Sequence, residues 1–244
     1  MTLNAVLFAV VLVVALAFFA RSAARLIGYL RLGKKEDRFA EPGRRLGRVI
    51  TVAFGQSKLL REPFAGLLHF LIFWGFVVLL SSVLESIGEG LAPGFSFAFL
   101  GPLYRPLQTL IDLFGALVVA AVVVSIVRRI AAPPPRLRVT GHAKWDAILI
   151  LSLILLVMVT MFGQNAARIA SGVPAGGRFI ASALAGAFAP DAAGAWFLVF
   201  FWGHMLSVLA FLNYLPYSKH LHVLSSIPNV YFSSLGPRGA LAPV

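Results

Sequence analysis

Five histidines, at positions 69, 142, 204, 220 and 222, are the residues of this chain whose placement points most directly to chemistry. An imidazole inside an apolar segment must be protonated, hydrogen-bonded or bound to metal, because an unsatisfied polar group in hydrocarbon is costly. His204 and His222 stand 18 residues apart. On one continuous helix that is about five whole turns, so the two share a face roughly 27 Å apart, whereas His220 lies about 160° round from His204. Two ligands on one face, one toward each membrane surface, suit haems stacked across a bilayer. Each iron then takes a second axial ligand from a facing helix at the same depth. His69 meets that need for His222. No histidine faces His204, whose alternatives are Met158, Met161 or no second ligand. Pro216 lies between the two histidines, and a kink there makes His220 the substitute for His222.

These side chains need helices to position them. Of the 244 residues, 59% are hydrophobic and 12% charged, with mean hydropathy +0.89. A soluble core of this size does not absorb such an excess, so the chain reads as an integral membrane protein. A bilayer core needs roughly 20 apolar residues per crossing. Five stretches qualify, 1–20, 63–84, 106–127, 147–167 and 192–218, which predicts an all-α, five-helix membrane bundle. His69 then lies about 9 Å inside the second helix. His204 falls in the outer half of the fifth helix, His220 and His222 at its inner end, and His142 in a basic loop. The piece Phe179 to Pro190 is too short to cross and reads as an interfacial or re-entrant helix.

Charge sets the orientation. Lys and Arg number 21 against 9 Asp and Glu, a net charge of +12. The basic residues bracket the apolar runs, so they act as topology signals and lipid anchors, and the chain is not read as a nucleic-acid binder. Counted over alternate sides of the five spans they divide 18 to 3. By the positive-inside rule the N-terminus is outside and the C-terminus cytoplasmic, in a multi-pass protein of the inner (cytoplasmic) membrane. The first span has no basic residue before it and is followed by Arg21 and Arg25, so it reads as a retained anchor. Within the long first cytoplasmic loop, Arg44, Arg45, Leu46, Arg48, Val49, Val52, Phe54 and Lys58 form a basic amphipathic pattern, suited to the inner leaflet or to a partner. Cysteine is absent. Disulfides, thiolate metal sites, iron-sulfur clusters and covalent haem attachment are therefore excluded for this sequence.

Chemistry that moves protons needs a carboxylate or amide within hydrogen-bond reach. Glu85 and Glu89 end the second helix on its outer side, Gln108 and Asp112 share a face of the third, and Gln164 and Asn165 close the fourth at that level. Asp112 is an acid inside an apolar span. A quinone or proton role competes there with a pairing to Arg105 or a hydrogen bond across helices.

The run from His204 to His222, with Pro216-Tyr217-Ser218-Lys219 before the last two histidines, resembles the last helix of the nitrate reductase gamma subunit superfamily. The segment from Arg61-Glu62-Pro63 through His69 to Trp74-Gly75-Phe76 resembles the second helix of one branch. In that branch the membrane region is fused to cytoplasmic iron-sulfur domains of heterodisulfide reductase type, as in oxidoreductases linking electron transfer flavoprotein to menaquinone. The ending Ile227-Pro228-Asn229-Val230-Tyr231-Phe232, then Gly236-Pro237-Arg238-Gly239, is similar to the strip that precedes the cluster-binding domain there. The resemblance implies that His69 and His222 hold a cytoplasm-proximal haem b and that His204 belongs to a distal one. Leu79 stands where the nitrate reductase pattern has a further histidine. One haem is therefore expected, with two as the alternative.

The resulting expectation is a haem b membrane domain over 1–232, with 233–244 a linker toward a cytoplasmic iron-sulfur domain or subunit. Such a domain conducts electrons between an iron-sulfur or flavoprotein partner, electron transfer flavoprotein among them, and quinone in the bilayer. The rivals are a proton-coupled transporter, which the lack of internal repeats or discontinuous helices disfavours, and a haem-free anchor for a soluble enzyme.

Overall fold

The computed structural model describes residues 2–34, 36–135, 138 and 141–236, with the side chains of His142 and Ala143 outside that set. Every regular element among them is helical. Helix α1 is Leu3–Leu30, α2 Pro42–Arg48, α3 Pro63–Leu91, α4 Tyr104–Ala131, α5 His142–Ala170, α6 Phe179–Ala185, α7 Ala193–Tyr214 and α8 His222–Tyr231. Five of them, α1, α3, α4, α5 and α7, are long and apolar enough to cross a membrane. Their ends overrun the apolar windows: α1 continues past Arg21 and Arg25 to Leu30, and α4 past Arg128 and Arg129 to Ala131. Once begun, a helix satisfies its own backbone, so it stops at a breaker rather than where hydropathy falls. Long basic side chains keep their stems on the apolar flank while the charge reaches outward. Arg25 lies over the Tyr217 ring and Arg128 over that of Phe64.

The spans alternate in direction, so the last turns of α1, α4 and α7 meet the first turns of α3 and α5. This end carries most of the Lys and Arg and is called the basic end below. Helix α3 packs along α4, α5 along α7, and α1 closes against α3 and α7. Two apolar clusters hold the bundle: Leu79, Ile111, Val118, Met158, Met161 and Phe162 across α3, α4 and α5, and Phe8, Leu12, Phe201, Met205 and Leu209 between α1 and α7. On the other face of α1, Leu3, Val13 and Phe18 are exposed, as a lipid-facing surface requires. Gly75 lets α3 approach α4, because a Cβ there would lie 2.2 Å from the Val118 side chain.

Short elements complete the two ends. The basic stretch 42–54 forms α2 and a π-helical turn, Val49–Phe54. It docks on α8 of this same chain. Arg45 is buried and donates to the carbonyls of Ala40, Tyr231 and Ser233; Arg48 donates to Ser233 and Ser234, and Arg38 to the Phe232 carbonyl. Guanidinium groups thus satisfy the orphan carbonyls at the C-terminus of α8, where the helix dipole favours positive charge. At the opposite end, α6 is a seven-residue helix lying against α4 and α5. Residues 237–244, most of the expected linker, lie outside the described set.

Candidate functional site

His69 sits in the second turn of α3, which Pro63 starts at a position where its missing N–H costs nothing. Its ring faces His222, with centroids 6.2 Å apart and planes inclined by 35°. That spacing falls within ordinary ring packing. The hydrogen bonds are more diagnostic. Nδ1 of His69 lies 2.9 Å from Gln56 Oε1, and Nδ1 of His222 lies 3.1 Å from the Lys219 carbonyl. An amide or peptide oxygen only accepts, so each Nδ1 carries the hydrogen and each Nε2 keeps its lone pair. This is the arrangement of metal-ligating histidines, whose second nitrogen is held by an outer partner. Each ring thus keeps one nitrogen of the donor type that a haem iron would take.

The route by which His222 arrives differs from the expectation of one long helix. The α-helical part of α7 ends at Tyr214, Leu215–Tyr217 is a 3-10 turn, Ser218 is extended, Lys219–Leu221 is a second 3-10 turn, and His222 opens α8. Pro216 has no N–H to continue the ladder. The shared face and the 27 Å rise between His204 and His222 therefore do not apply to this chain. An elbow replaces them. Asp146 of α5 holds it, accepting from Tyr214 OH at 2.6 Å and from the Lys219 N–H at 3.3 Å. The elbow also brings the His220 ring to 5.3 Å from that of His222. Burial, and then the proximity of His222, push His220 down to about 4, and its buried Nδ1 has no hydrogen-bond partner among the described residues.

His204 stands near the middle of α7 and is 1% exposed. Its Nδ1–H donates to the Val157 carbonyl at 3.0 Å, while Nε2 is buried with no partner among the described residues. Met158 and Met161 belong to the core cluster with Leu79, Ile111 and Val118. His142 begins α5, and its side chain is outside the described set. No three His, Asp or Glu side chains among the described residues converge as ligands for a lone metal ion.

The four polar candidates lie together at the opposite end, all buried. Glu85 accepts from Tyr104 OH and, at 2.8 Å, from the Phe97 N–H. Gln108 accepts from the Gly177 N–H, and Asp112 takes the first N–H groups of α6, from Ile180 at 2.6 Å and Ala181 at 3.3 Å. Gln164 donates to Ser86 at 3.3 Å, and its Oε1 is buried without a partner among the described residues. Glu89 pairs with Arg168. For Asp112 the hydrogen bond across elements, rather than a pairing with Arg105, is what the structure contains. Glu85, Gln108 and Asp112 tie a loop or α6 to the long helices, whereas Gln164 and Glu89 join α5 to α3.

Two clefts flank the bundle. One of about 390 Å³ is lined by Trp145, Asp146, Ile148, Leu149, Ser152 and Tyr214, beside the elbow. One of about 350 Å³ lies at the opposite end, between Arg105, Thr109 and residues 175–179. Sequence reasoning missed Gln56 and Asp146. Neither stands in a motif, and only the folded loops bring them to histidine neighbours.

No family model and no solved structure matches the chain. Among curated proteins it is 29% identical, over 99% of its length, to the probable iron-sulfur-binding oxidoreductase FadF of Bacillus subtilis strain 168. It is 27% identical, over 83% of its length, to the EtfAB:quinone oxidoreductase of Syntrophomonas wolfei. These alignments cover 34% and 29% of the two relatives, so the chain spans about a third of the length of the proteins it resembles. Both relatives are oxidoreductases by name, and the likeness to the first runs over nearly the whole chain.

Proposed function

We propose that this chain is a haem b-binding membrane domain that conducts electrons between an iron-sulfur or flavoprotein partner at its basic end and quinone in the bilayer. The observation that carries this reading is the His69–His222 pair, two rings from different segments with both Nδ1 atoms held by acceptors and both Nε2 atoms left for iron. Haem b bound there supplies a one-electron carrier. The chain's own residues do the rest. Gln56 and Lys219 orient the two imidazoles, and Asp146 holds the elbow.

The names of the two relatives support the partners proposed here, since one is called iron-sulfur-binding and the other EtfAB:quinone oxidoreductase. With no cysteine in the sequence, clusters belong to the parts of such proteins that this chain does not span. The resemblance to the nitrate reductase gamma superfamily is consistent with the same assignment. The charge bias supports a cytoplasmic basic end in a protein of the cytoplasmic membrane. His204, with its free Nε2, is the residue available to a second cofactor. Glu85, Gln108, Asp112 and Gln164 form the polar end proposed to exchange protons with quinone, and the unpartnered Gln164 Oε1 is its open acceptor. A reduced-minus-oxidised visible spectrum of the purified protein tests the proposal: a b-type signal is expected, and its absence from well-folded protein favours the haem-free anchor or the transporter.

A further inference from the structure

Gln56 is 1% exposed, yet it lies in a loop and adopts φ +48°, one of two non-glycine residues with positive φ among those described. A left-handed position is easiest for glycine. The chain places its glycine one residue earlier, at Gly55, where a Cβ would lie 2.8 Å from the Thr51 carbonyl oxygen. At position 56 it keeps an amide side chain and buries it. That amide spans from the loop to α3, with Oε1 at 2.9 Å from Nδ1 of His69.

Several contacts enforce this reach. The Gln56 carbonyl accepts from the N–H groups of Leu59 and Leu60, starting the 3-10 turn Leu59–Arg61. The turn lies directly on α3 at Gly66, where a Cβ would stand 2.4 Å from the Leu59 oxygen and 2.9 Å from Leu60 Cα. Gly66 is three residues before His69, on the same side of the helix. The close approach at Gly66 is thus what lets a loop side chain reach the histidine. The remaining amide atom, Gln56 Nε2, is buried with no acceptor among the described residues. A purely structural glutamine is expected to satisfy both ends of its amide.

We infer that Gln56 is a positioning residue of the candidate haem site, which fixes the His69 tautomer and, through its hydrogen bond, sets the reduction potential of the bound haem. This rests on the haem reading above. Accepting from Nδ1–H makes the imidazole a stronger electron donor through Nε2, which favours the ferric state and lowers the potential. A carboxylate at the same place accepts more strongly and lowers it further.

The test uses the full chain with Gln56→Leu, Gln56→Gly and Gln56→Glu, each compared with wild type for haem content and by redox titration of the b-type band. Gln56→Leu and Gln56→Gly are expected to retain haem with a potential shifted positive, and Gln56→Glu to shift it negative. Gln56→Gly removes the amide while easing the left-handed backbone, so it keeps the test decisive if Gln56→Leu does not fold. Potentials that stay at the wild-type value, or that move in the same direction in the glycine and glutamate variants, overturn the inference. Wild-type protein without haem overturns the reading beneath it. Haem that is present, and is lost in His69→Ala, while all three Gln56 variants titrate like wild type, overturns the role of Gln56 alone.

Discussion

Gly66→Ala adds one methyl group on α3, three residues from His69, where no room exists for it. The new Cβ would meet the Leu59 carbonyl oxygen at 2.4 Å, and real Cβ contacts sit at 3.0–3.4 Å or beyond, so the turn must withdraw by about 0.6–1.0 Å. The obstacle is backbone, which cannot rotate away as a side chain could. Gln56 moves with the turn, because its carbonyl is bonded to the Leu59 and Leu60 N–H groups. Its bond to His69, now 2.9 Å, then stretches to 3.5 Å or more, beyond a useful hydrogen bond. Overpacking of this kind costs about 1–3 kcal/mol. The expected result is a folded protein of lower thermal stability that retains haem, with the potential shifted in the same positive direction as in Gln56→Leu. Redox titration together with thermal unfolding in detergent reads both effects. Wild-type stability and wild-type potential in Gly66→Ala would refute the contact between turn and helix from which the reasoning starts.

Other consequences follow from the two ends of the bundle. Asp112→Ala removes the acceptor for two N–H groups at the start of α6 and should cost about 2 kcal/mol, with proteolytic sensitivity of residues 176–185 as the readout; unchanged cleavage would contradict the capping role. Arg45→Met leaves the carbonyls of Tyr231, at the end of α8, and of Ser233 beyond it without their donor and should cost about 2–3 kcal/mol, loosening residues 231–236 as seen by spin labels there. Reporters fused after Ala40 and Ala132 should be cytoplasmic and one after Ala92 external; an external signal at Ala132 would contradict the five-span orientation. His204→Ala should spare chemical reduction of haem at His69 and His222 while lowering exchange with quinone analogues, and unaltered quinone turnover in well-folded protein would leave His204 a packing residue.

The five crossings were legible because hydropathy over roughly 20 residues is set by the bilayer rather than by local packing. Their ends were not. Arg21, Arg25, Arg128 and Arg129 stop an apolar count without stopping a helix. The expected continuous helix between His204 and His222 breaks at Pro216, and an elbow anchored by Asp146 brings the His222 ring beside that of His69. Wheel geometry presumes continuity, and a proline 12 residues past His204 was the warning against it. The basic pattern at 44–59 suggested lipid or a partner, whereas its arginines cap α8 of the same chain. Gln56 left no trace in the sequence, because a loop residue 13 positions before a histidine becomes its neighbour only when the turn folds onto Gly66.

The central claim is that His69 and His222 hold one haem between them. Haem per chain and the b-type spectrum, measured in wild type and in His69→Ala and His222→Ala, test it most directly. A bis-histidine site loses its coordination when either ligand goes. The account predicts that both variants lose the same b-type signal while remaining folded and helical. Loss of different signals in the two variants, or retention of full haem in either one, would contradict it.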